Sequence, residues 1–421
     1  MADGQDQTPD DPQRPAVFLK PRGAERIESG HPWVWRSDVG RAPEDLERGV
    51  VELKGPGGRF LGQALFCRRS ELWVRLLTRE RDAVDEAWFE ARISEALERR
   101  AGLVEPGWAY RWIHGEADGL PGLFVDRYRD RLAVQILSAA MDQREAALLR
   151  SLVRVARQAP DFGPSLELVV LRHDAGARRH EGLERDVRCL NVGDDGALQP
   201  VEPGEAGARV VYREGGLEFR ADLVADQKTG AFLDQRENRV QAREYARGRA
   251  LDAFSFHGGF ALNLARGGAE QVEAVEASEA ACARIAENAE RNGFEQRVQV
   301  TAGNVFDVLR DRERAGRTYD TIVLDPPALA KRKADLDAAY RGYKELNLRA
   351  LKLVQPGGIL ISCSCSAHVK APDFEAMLVD AAADTRRSVQ VLERRGAGRD
   401  HPVQLGVPET EYLKCFVLRA L

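Results

Sequence analysis

Residues 251–265 read LDAFSFHGGFALNLA, a short apolar strand followed by a helix-like run. The two segments meet at Gly258 and Gly259, where small residues let a ligand approach the backbone and the helix N-terminus offers free N–H groups. In open α/β sheets, ligands bind at the carboxyl ends of the strands. The stretch therefore predicts a βα unit with a nucleotide-like ligand at its turn. A tight turn without a ligand fits these residues about as well.

The same alternation continues through the C-terminal half of the chain. Strand-like runs such as QVEAVEAS (271–278) and GGILISCSC (357–365) alternate with helical runs such as EAACARIAENAERNGF (279–294). Strands that alternate with helices indicate a doubly wound, mainly parallel α/β sheet. We therefore predict one α/β domain over residues 200–421.

The N-terminal half has a different pattern. Residues 16–81 contain period-two apolar runs broken by Gly and Pro, which predict a small β-barrel. Residues 84–190 combine strand and helix patterns, and the Gly-Asp-Asp-Gly stretch at 193–196 marks a boundary. The predicted order is a disordered tail, a β-barrel, an α+β domain and the α/β domain, at residues 1–14, 15–82, 84–192 and 200–421.

Composition and charge limit the class of protein. A chain of 421 residues suits two or three domains. It has no apolar run of the roughly 18 residues that a membrane span needs, and its polar start does not resemble a signal peptide, so we expect a cytoplasmic protein. The net charge is −5, yet segments 51–81 and 331–352 each carry seven basic side chains against three acidic ones. Such patches suit nucleic-acid contact at defined places, although charge alone favours two solvated faces.

Three polar side chains follow predicted strands. Glu276 comes about twenty residues after the glycine pair, where an acid can bond ribose hydroxyls. Asn304 would lie at the next strand end, near an adenine edge. Asp325 is followed by two prolines, which fix the chain and hold the carboxylate at the sheet edge, where it can accept hydrogen bonds from a nucleobase amino group. A surface glutamate, a turn asparagine and a structural turn are the alternatives.

Two cysteines lie in the stretch ISCSCSAH, residues 361–368. Disulfides are improbable in a cytoplasmic chain, and a Cys-x-Cys pair without further ligands is a poor zinc site, so we predict no metal. We expect Cys363 to stay in the strand and pack, and Cys365 to reach the cleft beside Asp325. On the residues alone, buried packing is the commoner fate of a cysteine.

The C-terminal half contains the motifs QKTGAFLDQREN (227–238), FSFHGGFAL (254–262), LDPP (324–327), YRGYKELN (340–347) and SCS (364–366). In order and spacing they resemble the bacterial class I S-adenosylmethionine-dependent 23S rRNA 5-methylcytosine methyltransferases of the RlmI type. The front of the chain also resembles that family: LKPRGAERIESGHPWVW (19–35) is similar to its N-terminal PUA domain, and YRWIHGEADGLPGLFVDRY (110–128) to its central domain.

The resemblance implies a Rossmann-like methyltransferase domain, S-adenosylmethionine as methyl donor and a 23S rRNA cytosine as acceptor. It implies Cys365 and Asp325 as the catalytic residues, and Arg236 as the ligand of the methionine carboxylate, because an arginine fork suits that group. Asn304 stands where the family more usually has Asp, and its amide oxygen can also accept a hydrogen bond. The full set of implied donor-binding residues is Arg236, Phe256, Gly258, Gly259, Glu276, Asn304 and Asp325.

The resemblance also implies a mechanism. The Cys365 thiolate would add to C6 of a cytosine that has left its stack, and C5 would then accept the methyl group. We expect a depressed pKa for Cys365, caused by basic segment 331–352 and the donor's sulfonium. The RNA-contacting side chains implied on the PUA-like domain and on that segment are Arg22, Arg68, Arg69, Lys331, Arg341 and Lys344.

Other functions compete with this interpretation. The enzyme could methylate uracil C5 or a base nitrogen, or the chain could be a non-catalytic RNA-binding or ribosome-assembly protein. A dinucleotide-dependent oxidoreductase is weakest, because the G-x-G-x-x-G pattern is incomplete. The sequence does not give the target nucleotide, the assembly state of the rRNA substrate or the base that removes the C5 proton. It leaves the oligomeric state open, including a homodimer.

Overall fold

The computed structural model describes residues 14–103, 107–159 and 166–421. The predicted disordered tail lies outside these ranges, except for its last residue. Within the described ranges, no helix is both long enough and apolar enough to cross a membrane.

The N-terminal domain is a six-stranded sheet with one helix against it. Its elements are β1 (Ala16–Leu19), α1 (Pro21–Glu28), β2 (Trp33–Trp35), β3 (Val39–Arg41), β4 (Arg48–Lys54), β5 (Phe60–Cys67) and β6 (Leu72–Thr78). The strand order is β2-β6-β5-β4-β1-β3. Helix α1 begins at Pro21, whose fixed φ suits the first helical turn. Its apolar side packs on the sheet, where Ile27, Val51 and Phe66 are fully buried.

The central domain is a second six-stranded sheet with helices on it. Its elements are α2 (Glu86–Glu98), β7 (Ala109–His114), β8 (Leu123–Tyr128), β9 (Arg131–Ile136), α3 (Ala139–Asp142), α4 (Glu145–Gln158), β10 (Leu168–Arg172), β11 (Val187–Val192) and β12 (Leu198–Val201). The strand order is β12-β11-β10-β9-β8-β7. Strands β9 and β10 are parallel, so the chain crosses between them through α3 and α4. Strand β12 carries this sheet past residue 192, the predicted end of the domain, because it pairs with β11.

A hairpin joins the central domain to the C-terminal sheet. It consists of β13 (Arg209–Glu214) and β14 (Leu217–Asp222). Gly215 and Gly216 both have positive φ, which is what a tight two-residue hairpin turn requires. The hairpin packs into the core of the C-terminal domain through Tyr212 and Phe219.

The C-terminal domain is a seven-stranded, mainly parallel sheet between layers of helices. Its elements are α5 (Arg236–Gln241), β15 (Arg249–Ala253), α6 (Gly259–Gly267), β16 (Gln271–Glu276), α7 (Glu279–Arg291), β17 (Val298–Ala302), α8 (Val305–Arg314), β18 (Tyr319–Leu324), α9 (Leu336–Leu353), β19 (Val354–Ser364), α10 (Ala371–Thr385), β20 (Val389–Arg395) and β21 (Lys414–Ala420). The strand order is β17-β16-β15-β18-β19-β21-β20, with β21 antiparallel to both neighbours. The central strands are apolar and buried on both faces, as expected for a sheet covered by helices on both sides. The predicted doubly wound α/β fold is confirmed.

Candidate active site

The loop between β15 and α6 has an unusual backbone. Phe254 and Phe256 have φ values of 67° and 51°, in the left-handed region that bulky side chains rarely adopt. Between them, the Ser255 hydroxyl donates to Asp252 Oδ2 at 2.6 Å. Gly258 then caps α6 with φ 82°. Strained residues of this kind concentrate at binding sites, where the surrounding structure holds them in place.

A small cavity of about 30 Å³ opens under this loop. Its lining includes Phe232, Arg239, Phe256, Gly259 and Asp325. A Cβ atom at Gly259 would lie 2.6 Å from Arg239 Cδ, so the glycine makes room for the arginine. Arg239 also forms a buried two-pronged ion pair, with both N···O distances to the Glu214 carboxylate at 2.6 Å.

The loop also presents a polar atom that lacks a partner. His257 lines the cavity, and its Nδ1 is buried and has no hydrogen-bond partner within the described part of the chain. Burial, with Arg284 and Arg239 nearby, lowers the pKa of His257 to about 3, so the ring is neutral at pH 7. A buried polar atom of this kind usually finds a partner, and a polar ligand in the cavity could supply one.

Glu276 and Asn304 lie at the carboxyl ends of β16 and β17, as the sequence predicts for ligands of a nucleoside. The Glu276 carboxylate accepts hydrogen bonds from three backbone N–H groups, those of Phe256, Ala277 and Ser278, at 2.9 to 3.0 Å. Asn304 is exposed and caps α8, because its Oδ1 accepts from the Phe306 N–H at 2.9 Å. Both side chains are therefore held in fixed orientations at the ligand-binding edge of the sheet.

Arg236 does not lie where the sequence interpretation put it. It is 1% exposed, and it donates to the Ala109 carbonyl at 3.3 Å and lies 3.3 Å from Asp400 Oδ1. These partners fix it against the central domain, away from the cavity lining. Arg239, three residues later, is the arginine that lines the cavity, and sequence reasoning missed it. The local pattern carries no signal that separates two arginines in one short helix.

Asp325 follows the end of β18 and faces the cavity. Gln235 Nε2 donates to its Oδ1 at 2.8 Å, and Asn238 in turn donates to Gln235 Oε1 at 2.7 Å. The segment that contains Gln235 and Asn238 therefore supports the carboxylate. Burial raises the pKa of Asp325 to about 6, and the negative charge of Asp234 adds to the shift.

The two cysteines at the end of β19 lie in different surroundings. Cys363 is 1% exposed and pairs across the ladder with Cys415 of β21. A hydrogen bond to Cys415, together with burial, holds the pKa of the Cys363 thiol well above its ordinary value. Cys365 lies one residue beyond the strand, is half-buried, and its thiol points to the Pro326 carbonyl at 3.9 Å.

The sequence-based prediction that the pKa of Cys365 is depressed is wrong for the protein without bound donor. Burial, and then the Asp325 charge, raise the pKa of the Cys365 thiol to about 11. Two lysines oppose that shift, but they are Lys228 and Lys414, not residues of segment 331–352. Lysines and arginines of that segment pair elsewhere, for example Lys344 with Asp384 at 2.9 Å. Sequence reasoning missed both lysines because they approach from distant parts of the chain.

Hydrogen bonds hold the Ser-Cys-Ser turn on both sides of Cys365. The Tyr343 hydroxyl accepts from Ser364 at 3.0 Å and shares a hydrogen bond of 2.9 Å with Ser366. Lys414 Nζ donates to the Ser366 carbonyl at 2.7 Å. Burial lowers the pKa of Lys414 to about 8, and the charge of Cys365 opposes that shift. Tyr343 and Lys414 thus position the turn that carries the cysteine.

The side chains predicted to contact RNA are spread over two surfaces. On the N-terminal domain, Arg22 and Arg69 are 79% and 71% exposed, whereas Arg68 folds back to donate to the Leu46 carbonyl at 3.2 Å. On the C-terminal domain, Lys331 and Arg341 are exposed. Lys344, paired with Asp384, is less accessible than these two.

Comparison with known proteins places this fold and site in a class. A model of the S-adenosylmethionine-dependent methyltransferase family matches residues 192–417, and a model of the PUA-like domain matches residues 17–79. The chain is 33% identical to a Ribosomal RNA large subunit methyltransferase I of Vibrio cholerae, over 97% of this chain and 100% of the relative. The corresponding protein of Shewanella frigidimarina is 35% identical, with coverages of 96% and 98%.

A solved structure shows the same fold. The SMU.776 protein in complex with SAH has a TM-score of 0.77 at 19% identity, covering 96% of this chain and 99% of that one. The chain therefore belongs to the S-adenosylmethionine-dependent methyltransferase family, with a PUA-like domain at its N-terminus. The family and the cofactor predicted from the motifs are confirmed.

The residues at this edge of the sheet fit that cofactor. The Gly258–Gly259 turn opens the helix N-terminus, and Glu276 lies at the end of the neighbouring strand, where an acid suits a ribose. The unpartnered Nδ1 of His257 offers a further polar contact, whereas the guanidinium of Arg239 is already paired with Glu214.

Proposed function

We propose that the protein methylates C5 of a cytosine in large-subunit (23S) rRNA, with Cys365 forming a covalent bond to C6 of the base. The names of the relatives support rRNA of the large subunit as the substrate. The observation that carries the chemistry is the position of Cys365, beyond the end of β19 and beside Asp325 at the end of the adjacent strand β18.

Cysteine is needed because cytosine C5 is a poor nucleophile. When the Cys365 thiolate adds to C6, electron density moves to C5, which can then form a bond to an electrophilic carbon. Bound S-adenosylmethionine would supply that carbon as the methyl group of its sulfonium, and the electron pair of the broken methyl–sulfur bond would stay on sulfur as a neutral thioether. A base then removes the C5 proton, the electron pair reforms the C5–C6 double bond, and the Cys365 sulfur leaves as thiolate.

Asp325 is suited to hold the base by its amino edge. With a pKa of about 6, it is mainly ionised at pH 7, and a carboxylate accepts a hydrogen bond from the exocyclic N4 amino group. Below pH 6 the protonated form would instead donate to N3. Gln235 fixes the orientation of the Asp325 carboxyl group, so this group accepts the hydrogen bond from the base in a fixed position.

The Cys365 thiol is protonated at pH 7 in the donor-free protein, because its pKa is about 11. Lys228 and Lys414 are the protein cations that favour the thiolate. We infer that ionisation of the thiol accompanies binding of the positively charged donor, so that a reactive thiolate forms when the methyl group is at hand. This arrangement protects the cysteine from oxidation at other times.

RNA is held outside the cavity by the exposed basic side chains. Arg22 and Arg69 of the PUA-like domain, with Lys331 and Arg341, are placed to bind backbone phosphates, which position a substrate without reading its sequence. Binding through phosphates weakens as salt rises. Affinity for an rRNA fragment that did not change between 50 and 200 mM salt would refute this assignment.

The test uses 23S rRNA from cells that lack the protein. Purified protein and labelled donor should introduce 5-methylcytosine at one position, identified by mass spectrometry of nuclease fragments. A second substrate carries 5-fluorocytosine at that position. Since fluorine cannot leave C5 as a proton does, the covalent Cys365–RNA complex should persist through denaturing electrophoresis. Formation of 5-methyluridine or of an N-methylated base, or methylation without a trapped complex, would overturn the proposal.

A further inference from the structure

A second and larger opening lies between the PUA-like domain and the central domain. This interdomain cleft has a volume of about 660 Å³, within the range of about 300–1,000 Å³ typical of ligand pockets. Trp33 and Trp35 of β2 line one side, and Phe124 of β8 lines the other. Arg69 and Arg179 stand at the same opening.

A smaller cavity lies between the interdomain cleft and the candidate active site. Phe124 and Leu137 also line a cavity of about 220 Å³ between the central and C-terminal domains. That middle cavity is lined further by Lys228, the lysine whose charge acts on Cys365. Phe232 in turn lines both the middle cavity and the cavity that holds Asp325. The three openings thus follow one another from Trp35 to Asp325, and each shares lining residues with the next.

The aromatic walls are fixed but accessible. Trp33 Nε1 donates to Glu116 Oε1 at 3.0 Å, which holds the indole ring in one orientation. Trp35 is 38% exposed, one of the few large apolar side chains that is open to solvent. The Phe124 ring packs edge-on against His114 and carries the Arg111 guanidinium over its face at 5.4 Å. An exposed indole beside a rigid one is a surface on which a planar ring can stack.

The charges at the cleft favour an anionic ligand. Glu181 at its base is neutralised by Arg75 at 2.7 Å, and Glu116 accepts from Trp33. Glu71 also lines the cleft; it is 79% exposed and lies 3.9 Å from Arg36. Arg179 is exposed and makes no side-chain hydrogen bond or ion pair with any residue that the structure describes. Arg69 is 71% exposed and lies 3.8 Å from Glu47. The cleft thus offers two exposed guanidinium groups, of Arg69 and Arg179, against the one exposed carboxylate of Glu71.

Aromatic platforms interleaved with arginines are the usual means of holding unpaired nucleotides, since every base has a face that can stack and every nucleotide a phosphate. We propose that the interdomain cleft binds one unpaired nucleotide of the RNA strand whose target base enters the site at Cys365. Trp35 stacks on its base, and Arg69 and Arg179 contact its phosphates. The inference rests on the proposed function and adds a second point of recognition, which fixes which base can reach the cysteine.

The experiment measures both binding and catalysis for Trp35→Ala and Trp35→Phe. With an unmodified 23S rRNA fragment, loss of one stacked base should weaken binding about 5- to 150-fold in Trp35→Ala, raise KM by a similar factor and leave kcat unchanged. Trp35→Phe keeps a stacking ring and should recover most of the affinity. SAH affinity should equal that of the wild type in both variants, which shows that the donor site is intact.

Salt dependence distinguishes the aromatic and basic parts of the cleft. Arg179→Ala should reduce the slope of log affinity against log salt by about 1, whereas Trp35→Ala should leave the slope as it is. Arg154→Ala is the matched control, because Arg154 is 49% exposed on α4, lines neither the cleft nor the active site, and should change neither affinity nor slope.

The outcomes separate this inference from the proposed function. If the wild type binds and methylates rRNA but Trp35→Ala behaves identically, the cleft is not a nucleotide site and the proposed function stands. If Trp35→Ala and Trp35→Phe are equally impaired, or if Trp35→Ala loses kcat rather than affinity, stacking is refuted. If the wild type binds SAH but no rRNA, both proposals are overturned.

Discussion

The end of β19 and the turn that follows it each carry a cysteine, and the two cysteines lie in different surroundings. In the ladder, Cys363 faces Cys415 on β21 and is closed off from solvent. In the turn, Cys365 has left the ladder and is surrounded by groups that carry charge, among them Asp325 and Lys228. The comparison teaches that the surroundings of each cysteine depend on the point where strand pairing stops. Two residues along the chain separate a packed side chain from an accessible one.

The largest expected effect comes from exchanging the two cysteines for alanine one at a time. Cys365→Ala should lower kcat for methyl transfer by more than about 1,000-fold, because no other group can add to C6. Cys363→Ala should keep kcat within a few-fold and lose some stability, because it leaves a small cavity in the ladder. Labelled-donor assays and thermal unfolding of both variants check this. Loss of activity in Cys363→Ala alone would reverse the assignment.

Asp325→Asn should lower the rate of methyl transfer and raise the reactivity of the Cys365 thiol. Methyl transfer should fall about 100-fold or more, because the amide has no negative charge to hold the amino group of the base and cannot take up or release a proton as the carboxyl group does. The thiol of Cys365 should become more acidic, because the neighbouring negative charge that raises its pKa is gone. Iodoacetamide alkylation of Cys365 at pH 8 should therefore be faster in the variant. A slower alkylation would contradict the role given to Asp325.

The pH dependence of cysteine alkylation tests the difference between Cys363 and Cys365 in the wild-type protein. A thiol with a pKa of about 11 is mostly protonated at neutral pH, so its reactive thiolate increases about tenfold for each unit of pH between 7 and 10. Cys365 should follow this rise in donor-free protein, as peptide mass mapping would show. Cys363 should stay unmodified throughout because it is buried. A plateau below pH 8 would mean that the thiol already ionises without the donor.

The smallest expected effect concerns the hydroxyl that holds the turn. Tyr343→Phe removes the group that bridges Ser364 and Ser366, and kcat should fall about three- to tenfold while KM for the donor is unchanged. Tyr319→Phe is the matched control, since it also loses one buried hydroxyl, which donates to Glu273 at 2.6 Å away from the site. Both should lose about 1 kcal/mol of stability. Equal kcat in the two variants would show that the Tyr343 hydroxyl does not position the cysteine.

Much of this arrangement can be predicted from the sequence, because it depends on local patterns. Apolar periodicity gives the strands and helices of the C-terminal sheet. The carboxyl ends of those strands then bring Glu276, Asn304 and Asp325 to one edge. The family motifs add the cofactor and single out Cys365 from Cys363. Each of these inferences uses residues that are close together in the chain.

What the sequence did not predict depends on contacts between distant segments. Arg239 lines the cavity because Glu214, 25 residues earlier, holds it there, whereas Arg236 is drawn to Asp400. The raised pKa of Cys365 and the approach of Lys414 follow from burial and from the pairing of β21 with β19. Local apolar periodicity does not determine how deeply a side chain is buried or which face of a helix packs against another domain.

The position of β21 has a consequence for how the protein is made. Residues 414–420 follow every other strand in the chain, yet they lie between β19 and β20 and supply Lys414 beside the cysteine. During synthesis, the edge of β19 must stay unpaired until these residues have left the ribosome, and an open apolar edge invites association with other chains. The Ser-Cys-Ser turn also lacks its lysine until then. A chain in which β21 has not yet paired with β19 therefore does not hold Cys365 in the geometry of the finished site.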